Sequence, residues 1–179
     1  MNINFISPFS MDKKYGTELN RCISLLPDDD WVCVTDWDCM LLSPLQVPKM
    51  YEYIAQYPEV DLFLATSNRS GSHSQRYKGR ISGDDSMKAW HLEAENLLKG
   101  SNSITLNADG KISGYLMLFS KRTWEKYGFS NDLDVLHVDR DFTRKILEQN
   151  GVVAIMNRIL VWHSYRLLHG TQNKEHLKA

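Results

Sequence analysis

Residues 31–42 read WVCVTDWDCMLL, and this stretch decides the fold expected for the chain. Its first part, WVCVT, is apolar and rich in β-branched and aromatic residues, a composition typical of a buried strand. Asp36 and Asp38 follow at the point where that strand should end. In open α/β sheets, ligands bind beyond the carboxyl ends of the strands. Because clustered carboxylates are costly unless a cation or a reaction uses them, we predict a divalent metal that carries substrate phosphates here.

The composition of the chain is that of a globular protein. Its 179 residues suit one domain, and its hydrophobic (42%) and charged (24%) fractions are ordinary for a protein with a packed core. The formal net charge of -1 gives no general attraction to nucleic acid or to an anionic membrane, so neither is an expected partner. No basic N-terminal segment precedes a long apolar run, and no run approaches the roughly 20 apolar residues of a membrane span. We therefore expect a cytoplasmic protein whose three cysteines, Cys22, Cys33 and Cys39, are free thiols.

The order of predicted elements around this stretch indicates an α/β fold. A mostly apolar run at 3–6 predicts a strand, helical spacing at 15–26 predicts a helix, and 31–35 is the next strand, which is the order of a parallel crossover unit. We therefore predict a single domain, residues 1–169, built on a mixed, mainly parallel sheet flanked by helices, followed by a polar C-terminal tail at 170–179. The remaining predicted helices are 48–57, 86–99, 121–127 and 139–149, and the remaining predicted strands are 61–66, 102–107, 114–120, 152–155 and 159–163.

Residues 67–85 differ from the rest of the chain because they are polar, are interrupted by glycines and carry Arg69, Arg76, Lys78 and Arg80. This composition predicts a mobile loop. Cations on such a loop would suit closure over a diphosphate. Solvated surface charge is an equally simple interpretation of the same side chains.

Asp-x-Asp alone is a weak signal in a chain this rich in aspartate. Asp28 and Asp30 fit a turn between a helix and a strand, which requires no function. Only Asp36 and Asp38 directly follow a strongly apolar strand, and this context favours a functional role for them. The other pairs with this spacing are Asp132 with Asp134 and Asp139 with Asp141.

Three motifs, taken in order, resemble those of the GT-A glycosyltransferases, the nucleotide-sugar-dependent transferases that include family 2. WVCVTDWDCMLL resembles their metal-binding Asp-x-Asp motif, and ISGYLMLFSKRTWEKYGFSND resembles their stretch in which a glycine leads an apolar strand and a short helix. HVDRDFTRKILEQNG is similar to their acidic motif at the start of a helix, although Val138 stands where the family usually has glutamate. The resemblance covers roughly residues 3–166, and it lacks the second strand and helix that usually precede the metal motif in the family.

The resemblance implies a metal site and a metal ion. Asp38 would be the most direct ligand, and Asp36 would bind the metal, a metal-bound water or the ribose. His163, in VWHSYR, lies where several members place a third ligand, and its imidazole would favour Mn²⁺ over Mg²⁺. An ordinary hydrogen-bonded histidine is an equally good interpretation of that residue.

The resemblance also implies substrates and the residues that would bind them. The donor would be a UDP- or GDP-sugar and the acceptor a carbohydrate or another hydroxyl compound. Asp139 or Asp141 would be the general base, since each lies in the first turn of a predicted helix. If Asp139 is the base, the displacement is in line and inverts the anomeric carbon. The donor-binding positions would be Pro8, Tyr15, Asp36, Arg76 and Gly114, with Tyr15 stacking on the base and Gly114 lining the sugar site.

Two other functions remain open from the sequence. A phosphatase of the haloacid dehalogenase-like type would use Asp36 as nucleophile and Asp38 as acid, but Cys39-Met40 stands in place of its Gly-Thr, and Asp84-Asp85 follows no apolar strand. The third possibility is a non-catalytic module that binds a nucleotide sugar. The absence of the second strand and helix that usually precede the metal motif favours it. Because Trp37 lies between the two acids, we expect its ring to point into the core on the other face.

Overall fold

Seven strands form one mixed sheet, with five α-helices packed against it, in the part of the chain that the computed structural model describes, residues 1–79 and 86–164. The strands are β1 Ile3–Ile6, β2 Trp31–Thr35, β3 Cys39–Leu41, β4 Leu62–Ser67, β5 Ile104–Leu106, β6 Leu116–Ser120 and β7 Val153–His163. The helices are α1 Tyr15–Ser24, α2 Gln46–Gln56, α3 Met87–Leu98, α4 Lys121–Tyr127 and α5 Val138–Glu148, and a short 3₁₀ turn spans His73–Gln75. Together they make a single α/β domain, as predicted, and the predicted tail at 170–179 lies outside the described residues.

The strand order across the sheet is β1-β2-β6-β4-β7-β3, and β5 also pairs with β7. The prediction of a mixed sheet is confirmed, but the prediction that it is mainly parallel is wrong. Only β1 with β2 and β4 with β7 are parallel pairs, whereas β6 lies antiparallel between β2 and β4, and β3 and β5 are antiparallel to β7. The reason is that a buried apolar strand has the same side-chain pattern in either direction, so the sequence carries no signal for its polarity.

Four strands, β1, β2, β4 and β7, nevertheless point the same way, because β2 and β4 are both antiparallel to β6. Their carboxyl ends therefore lie along one edge of the sheet, which we call the carboxyl edge. The antiparallel strand β6 begins at this same edge. Every segment that carries a predicted site residue starts or ends there.

Both faces of the sheet are covered, which explains why β2 reads as a continuous apolar run. Val32 and Val34 face one side, where they pack in a cluster with residues of α1 and α5, whereas Cys33 faces the other side with residues of α2. Alternate residues of a strand point to opposite faces, so one five-residue strand contributes to both cores. This double burial fixes the position of the turn that follows β2.

The predicted elements differ from the observed ones in three places. Strand β3 was not predicted, since three residues are too few for a periodic signal. The strands predicted at 152–155 and 159–163 are one strand, β7, in which Met156 pairs with Ala65 and Leu160 pairs with Thr66, so that 157–159 form a bulge. Helix α2 begins at Gln46, and Pro48 therefore lies within its first turn, where a missing N–H costs nothing.

The described part of the predicted mobile loop is instead anchored to the sheet. Gln75 is fully buried, and its side-chain amide donates to the carbonyls of Ala65 and Ser113 at 3.3 and 3.0 Å. Its Oε1 accepts from the Ser113 N–H at 2.7 Å. The polar side chain of Gln75 bonds to backbone groups that would otherwise pair with another strand. The prediction of a solvated, mobile loop from the polar composition is therefore wrong for this part of the segment. Arg80 lies outside the described residues.

The three cysteines are free, as expected. Among the helices described, none has the length and apolar character needed to cross a bilayer.

Candidate metal centre

A tight turn carries the two carboxylates from β2 into β3. The Asp36 N–H donates to the Tyr115 carbonyl at 3.1 Å, and the Cys39 N–H donates to the Asp36 carbonyl at the same distance. The first bond holds the turn to the strand next to β2, and the second closes it around Trp37 and Asp38. The pairing of strands on both sides therefore fixes where the carboxylates lie.

Strand β3 brings the far end of the chain to this turn. Cys39 pairs with His163, the last residue of β7, and the Ser164 N–H donates to the Asp38 carbonyl at 2.9 Å. One ligand atom each of Asp36, Asp38 and His163 lies within 4.8 Å of the others, an arrangement that could hold a metal ion. The three sequence-predicted ligands are thus brought together by the fold.

The hydrogen bonds of His163 set the orientation of its ring. Nδ1 lies 2.9 Å from the Arg69 carbonyl, which can only accept, so Nδ1 carries the proton. Nε2 then faces Asp38 Oδ1 at 3.5 Å. The ring is 5% exposed and lies against the ring of Tyr115, with a centroid distance of 4.7 Å. This is the pattern of metal-binding histidines, whose second nitrogen donates to a carbonyl or carboxylate.

The environment of Asp36 disfavours the ionised form of its carboxyl group. Burial, with smaller contributions from the charges of Asp38 and Asp139, raises its pKa from 3.8 to about 6, although His163 acts in the opposite direction. Three carboxylates so close together repel each other, and a cation between them would remove that cost. Both the distances and the pKa of Asp36 fit a divalent metal with oxygen and imidazole ligands.

A narrow cavity of about 30 Å³ joins Asp36 to Asp139. Tyr15, Gly114 and Val135 also line it, together with Val34, Met117 and Val138. The segments after β1 and β2, before β6 and at the start of α5 all contribute, as their convergence at the carboxyl edge requires. A cavity of this size holds about one water molecule, next to two carboxylates.

Asp139 is fixed by the backbone on both of its oxygens. Oδ2 accepts from the Gly114 N–H and Oδ1 from the Arg140 N–H, each at 2.7 Å. Burial raises the pKa of Asp139, and these two N–H groups limit the rise. A Cβ at position 114 would come within 2.4 Å of the Asp139 Cβ, so only glycine fits there. The glycine of the second motif and the acid of the third are therefore in direct contact.

Asp141, the other predicted base, is elsewhere. Its oxygens accept from the Ser130 hydroxyl at 2.7 Å and pair with Arg144 and Lys145 at 2.7 and 3.0 Å. Partial burial opposes its ionisation, but these partners outweigh that effect and hold the pKa of Asp141 below its usual value. Asp141 does not line the cavity of Asp36 and Asp139, so the structure does not bring it to the metal centre.

The predicted donor-binding residues lie at the carboxyl edge at different depths. Tyr15 lines the cavity, and burial together with the charge of Asp36 raises the pKa of its hydroxyl. Pro8 is half-buried in the connection from β1 to α1, outside the cavity lining. Arg76 follows the 3₁₀ turn, and its Nε donates to the Ser70 carbonyl at 2.8 Å.

Sequence reasoning missed two features of this site. Asn68 accepts from the His163 N–H at 2.7 Å through its Oδ1 and, beside Arg69, holds that residue in place. An asparagine directly after an apolar strand was the only available signal. Trp37 was expected in the core, but it is 75% exposed, and that expectation is wrong because the turn directs its side chain into solvent.

Comparison with known proteins adds no assignment. No known protein family matches the chain by sequence, and no curated protein matches it significantly. The fold and the site therefore define the class of this protein. It is a single α/β domain with a carboxylate–imidazole group at the carboxyl edge of its sheet.

Proposed function

We propose that this chain is a metal-dependent glycosyltransferase that moves a sugar from a nucleotide sugar to a hydroxyl acceptor. The observation that carries the proposal is the group of Asp36, Asp38 and His163 beside a cavity that Asp36 shares with Asp139. A metal group alone suits many reactions. A metal-binding group with a separate, half-buried carboxyl next to it suits the transfer of a group from a diphosphate to a hydroxyl.

The three side chains fit Mn²⁺ or Mg²⁺. Carboxylate oxygens suit both ions, and the Nε2 of His163 favours Mn²⁺. The distance of 3.5 Å between Nε2 and Asp38 Oδ1 agrees with neighbouring ligands of one ion, which lie roughly 3 Å apart when each is about 2.1 Å from the metal. Such an ion would supply Lewis-acid stabilisation of the negative charge on a departing nucleoside diphosphate.

Asp139 is the proposed general base. In the reaction the acceptor oxygen bonds to the anomeric carbon, the bond from that carbon to the diphosphate oxygen breaks, and Asp139 takes the hydroxyl proton. Its raised pKa makes it a better base than an exposed aspartate, and the N–H groups of Gly114 and Arg140 keep it oriented. Displacement by this route inverts the anomeric carbon.

The donor would lie along the carboxyl edge. Tyr15 is placed to pack against the nucleotide, Pro8 borders the same edge, and Arg76 is held by Ser70 on an anchored segment at the end of β4. A cation on a fixed segment suits a diphosphate without a closing loop.

The proposal is tested by thermal unfolding with UDP- and GDP-sugars, each with and without Mn²⁺. A donor at 100 times its dissociation constant adds about 2.7 kcal/mol to the free energy of unfolding. Asp38→Ala should abolish the Mn²⁺-dependent shift, because it removes the most direct ligand. Asp29→Ala is the matched control, since this carboxylate is 76% exposed just before the start of β2, at the opposite edge of the sheet, and its loss should leave the shift intact.

Two activity assays separate this proposal from the two other functions. A phosphatase would hydrolyse an aryl phosphate and lose that activity in Asp36→Asn. A binding module would show the Mn²⁺-dependent shift but release no diphosphate from the donor, even with acceptors present. A shift that persists in Asp38→Ala would refute the metal assignment itself.

A further inference from the structure

The side chain of Trp37 is unusual among the tryptophans of this chain. It is 75% exposed, whereas the other four are buried or half-buried. Those four have packing or hydrogen-bond partners, as in the ring contacts of Trp31 with Phe63 and of Trp90 with Trp162 and the bond from Trp124 to Asn20. A large aromatic side chain left in solvent loses the hydrophobic stabilisation that the others gain.

Trp37 is exposed although the turn that carries it is held in place by backbone hydrogen bonds. The turn that carries it is bonded to the protein at Asp36, through the Tyr115 carbonyl at 3.1 Å, and at Asp38, through the Ser164 N–H at 2.9 Å. It is also closed by the bond from the Cys39 N–H to the Asp36 carbonyl. A ring on so fixed a turn is presented at low entropic cost, as rigid binding residues are.

The position of Trp37 restricts what can cover it. Its two chain neighbours are the proposed metal ligands, so the ring is carried by the same turn as the proposed metal centre. Trp37 does not line the cavity that Asp36 shares with Asp139, and it faces solvent. In the proposed reaction the donor occupies the metal centre, so the substrate left to contact an exposed ring beside it is the acceptor.

We propose that Trp37 is a stacking platform for a pyranose ring, and that the acceptor is therefore a saccharide rather than a peptide hydroxyl or a lipid alcohol. This inference rests on the proposed glycosyltransferase function. The hydroxyl groups of a pyranose point outward from the ring edge and leave a face of C–H groups. An aromatic face carries negative charge density and attracts such hydrogens, in addition to the apolar area that the contact removes from water.

The test is saturation-transfer NMR with methyl glucoside, methyl galactoside, methyl mannoside and N-acetylglucosamine, in the presence of UDP or GDP and diamagnetic Mg²⁺, because Mn²⁺ would broaden the proton signals. We expect saturation of the axial ring protons of at least one glycoside and none of sorbitol, which has hydroxyls but no ring face. Trp37→Ala should weaken glycoside binding about tenfold, and Trp37→Phe should restore part of it. Leu25→Ala is the control, because Leu25 is 77% exposed at the end of α1, away from the carboxyl edge.

The outcomes distinguish this inference from the function on which it rests. If Mn²⁺ and nucleotide bind but Trp37→Ala binds glycosides as the native protein does, or no glycoside of the panel binds, the saccharide-platform inference is overturned and the transferase proposal stands. If Mn²⁺ and nucleotide fail to bind while glycoside binding depends on Trp37, the platform stands and the transferase proposal falls. If sedimentation shows that Trp37→Ala dissociates a dimer, the ring is an interface residue and the inference is overturned.

Discussion

The ionised carboxyl group of Asp36 lowers the stability of the fold. Its pKa is about 6 in the folded chain against 3.8 as an ordinary aspartate, chiefly because it is buried. As the pH rises from about 4 to about 6, the unfolded chain releases this proton before the folded chain does, so the free energy of unfolding falls. Above pH 6 the full penalty remains, about 3 kcal/mol at most for a shift of about two units.

We therefore predict that Asp36→Asn raises the free energy of unfolding at pH 8 by up to about 3 kcal/mol in the absence of metal. The gain should be much smaller at pH 4, where the folded carboxyl is protonated and the unfolded carboxyl, with a pKa of 3.8, is only about half ionised. Urea unfolding in EDTA at the two pH values measures it, with the exposed Asp132→Asn as control. If the variant is less stable than the native protein at pH 8, the ionised carboxyl of Asp36 does not destabilise the fold.

Gly114 is the second residue whose identity the site dictates. In Gly114→Ala the added Cβ would meet the Asp139 Cβ at 2.4 Å, and neither atom lies on a flexible chain end. We expect a loss of about 1–3 kcal/mol in urea unfolding, together with loss of transfer activity, because Asp139 must move. In Gly100→Ala the added Cβ meets the guanidinium of Arg158, which can swing aside, so this control should be nearly neutral. Equal effects of the two substitutions would contradict the assignment.

At the scale of elements, the site depends on the loop after β4. This loop supplies the Arg69 carbonyl to His163 Nδ1 and the Asn68 Oδ1 to the His163 N–H, so it fixes both the ring and the backbone of that residue. The bulge at 157–159 lets the end of β7 reach these partners, because β7 and β4 resume pairing at Leu160 with Thr66. The candidate metal site is therefore positioned by fixed hydrogen bonds within the described residues.

We predict that Asn68→Ala weakens Mn²⁺ binding by about 10- to 100-fold, the usual effect of losing a group that orients a ligand. Titration calorimetry with Mn²⁺ measures it, with the exposed Asn96→Ala as control. Asn68→Asp should restore most of the affinity, because a carboxylate also accepts from the His163 N–H. Failure of that rescue, with normal folding, would argue against a positioning role.

The spacing of Asp139 and Asp141 shows how an element selects between residues that look equivalent in the sequence. Both lie in the first turn of α5, but residues two apart on a helix do not face the same way. The helix directs Asp139 to Gly114 and the cavity, and Asp141 to Ser130, Arg144 and Lys145. The packing of α5 against the sheet decides which acid can serve as a base.

At the scale of the whole molecule, the site exists because four strands run in one direction. The chain passes the carboxyl edge after β1, β2, β4 and β7, and each passage leaves a candidate residue there: Pro8, Asp36 with Asp38, Asn68 with Arg69, and His163. The antiparallel β6 begins at the same edge and adds Gly114. Residues far apart in the chain therefore meet without a second domain.

Local patterns in the sequence predicted most of the helices and strands and the two carboxylates after β2, because strand and helix periodicity and the apolar run before Asp36 are local properties. They did not predict β3 or the continuity of β7. For His163 the sequence left two interpretations open, a metal ligand and an ordinary hydrogen-bonded histidine. Only the tertiary structure decided the strand polarities, the ring orientation of His163, the contact of Gly114 with Asp139 and the exposure of Trp37. Each of these depends on hydrogen bonds or packing between segments distant in the chain, and no local pattern of residue types encodes such partners.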